Sequence, residues 1–131
     1  MDQPKITLLH YYPTSRLLYG KLLSQAGFAV TSHPTNTPDE VIALLRQERP
    51  NLAVMSVEFG SPSQEPAKRR MGLDALAQIR QTPELSTLPV IMESSSDEYE
   101  REALAKGANA YVGGTNPNEV LVQKIREIIG N

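Results

Sequence analysis

Three residues of this chain have the types that nucleophilic catalysis uses: His10, Ser56 and Glu93. A serine hydroxyl attacks only when a neighbouring base takes its proton, and a carboxylate commonly orients that base. The sequence around them argues against this use. Ser56 lies in "VMSVEFG", which is not the G-x-S-x-G turn that lifts a serine out of an α/β sheet. Glu93 directly precedes Ser94, and neighbours in a strand face opposite sides, so a pocket that holds Ser94 is expected to exclude Glu93. Glu58 and Glu93 are carboxylates of the kind a hard divalent cation takes, but two scattered oxygen ligands do not make such a site. The run Lys68-Arg69-Arg70 suits phosphate or an acidic partner, or is simply a solvated charge run in a loop. Tyr11 and Tyr12 offer either a ledge for a small molecule or a plug of packed rings. The expectation is a chain with no catalytic, cofactor-binding or metal-binding residues.

The residues just named sit at the ends of apolar runs. "KITLLH" (5–10), "FAVTSH" (28–33), "PNLAVMS" (50–56), "LPVIME" (88–93) and "NAYVGG" (109–114) read as strands. The second is the most polar and so belongs near an edge. Helical patterns lie between them. Leu17, Leu18, Leu22 and Leu23 recur at helical spacing in the first. Thr37, Pro38 and Glu40 form a capping box at the start of the second. Residues 58–71, rich in Pro, Ser and charge, read as an exposed loop before the third. "SSSDEYEREALAKG" reads as a fourth helix with serine caps, and Asn116, Pro117 and Glu119 open a fifth. Five βα units imply a doubly wound parallel sheet of order 2-1-3-4-5, flavodoxin-like, with helices on both faces. In that order the first, third and fourth strands are neighbours. Their carboxyl ends gather His10, Tyr11, Tyr12, Ser56, Glu93 and Ser94, which is where such sheets keep their sites.

The composition narrows the function classes. A chain of 131 residues suits one domain, 1–131, with a core large enough to need no staples. It has no cysteine, which excludes disulfides and thiolate chemistry. Thirteen basic against fifteen acidic residues leave a net charge of −2, no electrostatic footprint for nucleic acid or an anionic membrane. "MDQPKITLLHYYP" has no signal-peptide pattern and no run is long enough to span a bilayer, so a cytoplasmic protein is expected.

"LLHYYPTSRLLYGKLLSQAGFAV", "RPNLAVMSV", "MGLDALAQIRQTPELSTLPVIME" and "ALAKGANAYV" together resemble the receiver domain of bacterial response regulators, over nearly the whole chain. The resemblance implies where that family keeps its phosphotransfer residues, and this chain departs from the pattern. The acidic pair that holds Mg²⁺ falls on His10 and Tyr11, and the phosphoacceptor Asp falls on Ser56. The hydroxyl residue after the fourth strand is kept as Ser94, the Lys falls on Gly114 and the following Pro on Thr115. The aromatic switch position is kept as Tyr111. Without carboxylates for the metal and without the Lys, a phosphoryl group in transfer has little to neutralise it.

The resemblance therefore implies a pseudo-receiver without an output domain: a non-enzymatic, phosphorylation-independent adaptor that meets a protein partner in two-component signalling. The alternative is a small ligand in the degenerate pocket of His10, Tyr11, Ser56, Ser94 and Gly114. A partner or homodimer face is expected on the last helix, with Val122, Arg126 and Ile129 beside Tyr111, and a second partner role for the loop around Lys68, Arg69 and Arg70. No nucleic-acid or membrane partner is expected.

Overall fold

A computed structural model describes residues 3–60, 68–114 and 117–130, with side chains of Pro117 and Asn118 excepted. The elements alternate as β1 Lys5–Leu9, α1 Pro13–Gln25, β2 Ala29–His33, α2 Pro38–Glu48, β3 Leu52–Ser56, α3 Met71–Gln81, β4 Val90–Glu93, α4 Glu100–Ala105, β5 Ala110–Val112 and α5 Pro117–Ile129. All four strand pairings are parallel and the order is β2-β1-β3-β4-β5, the expected doubly wound arrangement. β3 and β4 are buried along their whole length, whereas the polar β2 lies at the edge.

The period of two along each strand sorts the core into two layers. Leu9, Ala53, Met55, Val90, Met92 and Tyr111 pack with α2, α3 and α4. Ile6, Leu8, Val54, Ile91 and Val112 pack with Tyr19 and Leu23 of α1 and Leu121 and Ile125 of α5. Continuing the alternation by one step puts His10 and Glu93 on the α1/α5 side.

Polar clasps hold the layers in register. Glu48 at the end of α2 accepts from Thr7 and Thr31 and pairs with His33, and these hydrogen bonds outweigh burial in holding its carboxyl below the usual range. Arg80 of α3 donates to the carbonyls of Ser86, Leu88 and Gly107, joining α3 to the approaches of β4 and β5.

Three local expectations are corrected. α4 begins at Glu100, not at the serines, and no side chain caps it; Ser96 Oγ instead accepts the Glu98 amide in a preceding turn. The segment after β3 is not exposed at its near end. Phe59 is fully buried, its amide bonds the Lys68 carbonyl, and the Gly72 amide bonds the Val57 carbonyl. Gly72 has no room for a side chain, since a Cβ there would lie 2.3 Å from the Ser56 oxygen. In α1 the buried residues are Tyr19 and Leu23, while Leu17 and Leu18 are 68% and 61% exposed. Thr37 caps α2 as read, accepting the Glu40 amide, whereas the Asn116 cap lies outside the described residues.

Candidate functional site

The carboxyl ends of β1, β3 and β4 do bring His10, Ser56, Glu93 and Ser94 together, and all four are buried. The bonds they make divide them into two clusters.

The first cluster centres on Glu93. His10 Nε2 lies 2.6 Å from Glu93 Oε2, and both side chains are under 10% exposed. The Tyr19 hydroxyl donates to Glu93 Oε1 at 3.3 Å. The other ring nitrogen of His10 accepts the Tyr12 amide at 3.2 Å. That amide cannot be an acceptor, so Nδ1 is unprotonated and the proton sits on Nε2, donated to the carboxylate. Arg16 fixes the turn from outside, donating to the carbonyls of His10 and Tyr11. Burial, with the Glu93 charge and hydrogen bond added, pushes the Tyr19 phenol far above its ordinary range. The expected pocket of His10, Tyr11, Ser56, Ser94 and Gly114 is thereby corrected in one respect, since His10 bonds the Glu93 that this pocket was expected to exclude. Glu93 and Ser94 do turn to different partners, but His10 turns to the Glu93 side.

This geometry removes the hydrolytic triad. Ser56 Oγ donates to the Glu58 carbonyl at 2.8 Å, not to His10. Both His10 nitrogens are committed, one donating and one accepting, so neither can take the Ser56 proton.

The second cluster is a chain of hydrogen bonds along the loop after β4. Ser94 Oγ donates to Glu58 Oε2 at 2.9 Å and accepts the Ser96 amide at 3.2 Å. The Tyr111 hydroxyl donates to the Ser96 carbonyl. Burial pushes the Glu58 carboxyl up from its ordinary range, against the Ser94 bond that pulls it down. Burial, with the charges of Glu58, Asp97 and Glu93 nearby, pushes Tyr111 up to about 12. Sequence reasoning missed Glu58 in this role. Its place two residues after Ser56 was the available signal.

These donors do not fit Mg²⁺. The ion wants several convergent oxygens in near-octahedral array. His10 gives a ring already bonded on both sides, Ser56 spends its proton on the Glu58 carbonyl, and Glu58 and Glu93 are held by different clusters. Gly114 sits at φ +77°, a conformation that disfavours the Lys a phosphoryl clamp needs. Tyr11 and Tyr12 pack edge to face with centroids 4.9 Å apart, but Tyr12 is 43% exposed, so the pair forms a rim more than a plug.

The remaining candidates are dispersed. Arg70 pairs with Glu102 and lies 5.9 Å over the Tyr99 ring, while Arg69 is exposed and the Lys68 carbonyl anchors Phe59. Tyr111 belongs to the α2/α3 layer, whereas Val122 and Ile129 pack against the α1/α5 layer. Arg126 donates to the Ala26 carbonyl at the end of α1. The structure therefore does not bring Val122 and Arg126 beside Tyr111; they line the groove between α5 and α1.

No family model matches the chain, and no curated protein matches it. Solved structures do. The receiver domain of sensor histidine kinase PA1611 from Pseudomonas aeruginosa, solved with a magnesium ion in its active-site cleft, superimposes with a TM-score of 0.80 at 18% identity, over 99% of this chain and 100% of that one. A LuxR-family two-component response regulator from Aurantimonas gives 0.81 at 23% identity, over 98% and 86%. The Vibrio cholerae chemotaxis response regulator CheY4 gives 0.78 at 16%, over 97% and 99%. The fold is that of receiver domains.

Two outcomes follow from the clusters. His10→Ala removes the donor to a buried carboxylate and opens a cavity, and should cost about 3 kcal/mol by urea denaturation. In a cycle with Glu93→Gln the coupling should be about 1–3 kcal/mol, and zero coupling would separate the two residues. Tyr111 has an ordinary value near 10 and a folded value about 12. The folded state holds its proton more tightly, so its contribution is full below pH ~10 and lost as pH rises toward ~12, worth about 2 kcal/mol. The stability gap between wild type and Tyr111→Phe should narrow over that window. A constant gap would contradict the assignment.

Proposed function

We propose that this receiver-fold chain is a signalling adaptor that works through protein contacts and takes up no phosphoryl group. The observation that carries the reading is the internal satisfaction of the pocket. The position that the receiver resemblance assigns to the phosphoacceptor holds Ser56, whose hydroxyl is bonded to the Glu58 carbonyl. The position of the first metal-binding carboxylate holds His10, bonded to Glu93. The Ser94 hydroxyl, which would face an incoming phosphoryl group, is already bonded to Glu58.

In this reading the loop after β4 has one shape, fixed by the bonds from Glu58 through Ser94 and Ser96 to Tyr111. Partners would meet a standing surface and not one switched by modification. The solved structures with this fold come from response regulators and a sensor histidine kinase, and two-component signalling is the setting they suggest for this chain. The reading includes no enzymatic activity, no resident cofactor, a cytoplasmic location, and protein partners in preference to nucleic acid or membrane. No helix among the described residues is long and apolar enough to cross a membrane. The alternative of a small ligand held by His10, Tyr11 and Ser56 has less support, because His10 and Ser56 direct their polar atoms to the protein itself.

Incubation with acetyl phosphate and Mg²⁺, read by intact-mass spectrometry, should leave the mass unchanged. Ser56→Asp should behave alike, since one carboxylate rebuilds neither the metal site nor the clamp. A stoichiometric phosphoryl adduct on the wild type would overturn the reading. An adduct on the single variant would show that the metal site had survived.

A further inference from the structure

β2 is an outer strand of the sheet, and its free side carries none of the features that usually keep such an edge from pairing. We propose that this edge takes an extended segment of a partner protein as an added strand, with an aliphatic side chain seated in the cleft beside α2 and basic side chains flanking it. The inference deepens the adaptor reading by naming the kind of partner, and rests on that reading only for its biological use.

The main-chain bonds show which groups of β2 are free. The Ala29 amide donates to the Pro4 carbonyl and the His33 carbonyl accepts the His10 amide, so both residues address β1. Successive residues of a strand turn their main chain to opposite sides, so Val30 and Ser32 point their amides and carbonyls away from the sheet. Among the described residues β2 pairs with β1 alone. Edges of this kind are commonly guarded by a charged side chain, a proline or a bulge. "FAVTSH" has no Lys, Arg, Asp, Glu or Pro, and its register with β1 runs without a bulge. β5, the opposite edge, has three residues against the five of β2.

Thr31 and His33 bond the Glu48 carboxylate, so one flank of α2 lies over this side of β2. Glu40, Leu44 and Glu48 follow one another at four-residue spacing along that flank. Past the end of β2 a cleft of about 240 Å³ opens between Leu9, His33, Pro34, Asn36, Glu40 and Leu44. Its apolar part, Leu9 and Leu44, suits one branched aliphatic side chain. A strand added to β2 presents alternate side chains to this face, and sheet edges read peptides in this way, with main-chain bonds for affinity and pockets for specificity.

The charges on this flank are acidic. Glu40 is exposed, and Glu48 carries a carboxylate whose partner His33 is already paired with it. The basic residues of the neighbourhood are committed elsewhere, Arg46 to Glu84 and Lys5 to the Glu48 carbonyl. A second copy of the chain fits less well, because its own β2 has no lysine or arginine and its Val30 is packed in the α1/α5 layer. Charge and cleft together favour a basic segment of another protein.

The probe is the peptide acetyl-Thr-Lys-Thr-Leu-Thr-Lys-Thr-amide, which reads the same in both directions and so suits parallel or antiparallel pairing. Titrated into the full chain and followed by backbone amide chemical shifts, it should give saturable shifts at Val30, Ser32, His33 and Leu44, with a Kd of about 1 mM or tighter. Replacing both of its lysines by glutamate should abolish saturation, and replacing its leucine by alanine should weaken binding about tenfold. Ser32→Pro removes an outward amide without touching a bond to β1, and should abolish binding. Glu40→Lys, at an exposed side chain, should weaken binding roughly threefold, and serves if circular dichroism finds Ser32→Pro unfolded. No saturable shifts with the wild type, shifts clustered away from β2, or equal binding of the glutamate peptide would each overturn the inference. Concentration-dependent shifts at Val30 and Ser32 without peptide would overturn it as well, by giving the edge to a second copy. The acetyl phosphate assay does not read this edge, so failure here and failure of the adaptor reading are told apart.

Discussion

A carboxylate buried at the end of a central strand has to be satisfied, and much of this molecule's upper end is arranged around that need. Stripped of water and partners, a charged group in the interior costs several kcal/mol. Glu93 meets the requirement with two donors, the His10 ring and the Tyr19 hydroxyl. Each donor has a consequence. His10 is turned to the α1/α5 side, with its second nitrogen holding the Tyr12 amide at the start of α1. Tyr19 is turned inward, which fixes the rotation of α1 and leaves Leu17 and Leu18 outside.

Ser56 stands beside the second cluster, its hydroxyl bonded to the main-chain carbonyl of Glu58. On one side the Glu93 cluster closes off the histidine. On the other, Glu58 holds Ser94, and the loop leads on to Tyr111. Both clusters consist of polar groups that satisfy one another without metal or phosphate. Such networks rigidify when complete. The sheet's carboxyl end is therefore a fixed structure that positions the helices.

The fold was legible because its signals are local. Alternating apolar runs and capped helices name the elements, and the polarity of "FAVTSH" placed β2 at the edge. The Thr37 cap and Pro38 gave the start of α2. What was not legible depends on contacts far apart in the chain. The leucines of α1 form two overlapping stripes, and the choice between them falls to a bond from Tyr19 to a residue 74 positions away. His10 and Glu93 are 83 positions apart, and nothing in the local sequence around either one announces their bond. Phe59 lies among Pro, Ser and charged residues that read as loop, yet it is core. The serines after β4 carry helix-cap chemistry, but Ser94 serves Glu58 and Ser96 serves a turn, so α4 starts later. The resemblance to receiver domains groups Val122, Arg126 and Tyr111 on one face, whereas here Tyr111 and Val122 belong to the layers on opposite sides of the sheet.

The central claim is that the protein's own side chains occupy the bonding capacity a metal-dependent phosphotransfer site would need. A Mg²⁺ titration followed by backbone amide chemical shifts tests it most directly, with the amides of His10, Ser56, Val57, Glu58 and Ser94 as reporters. No saturable shifts are expected at those amides, only weak changes scattered over exposed carboxylates. Saturable shifts clustered on His10, Ser56 and Glu58 would contradict it, because they would require the His10–Glu93 and Ser94–Glu58 bonds to yield to the ion.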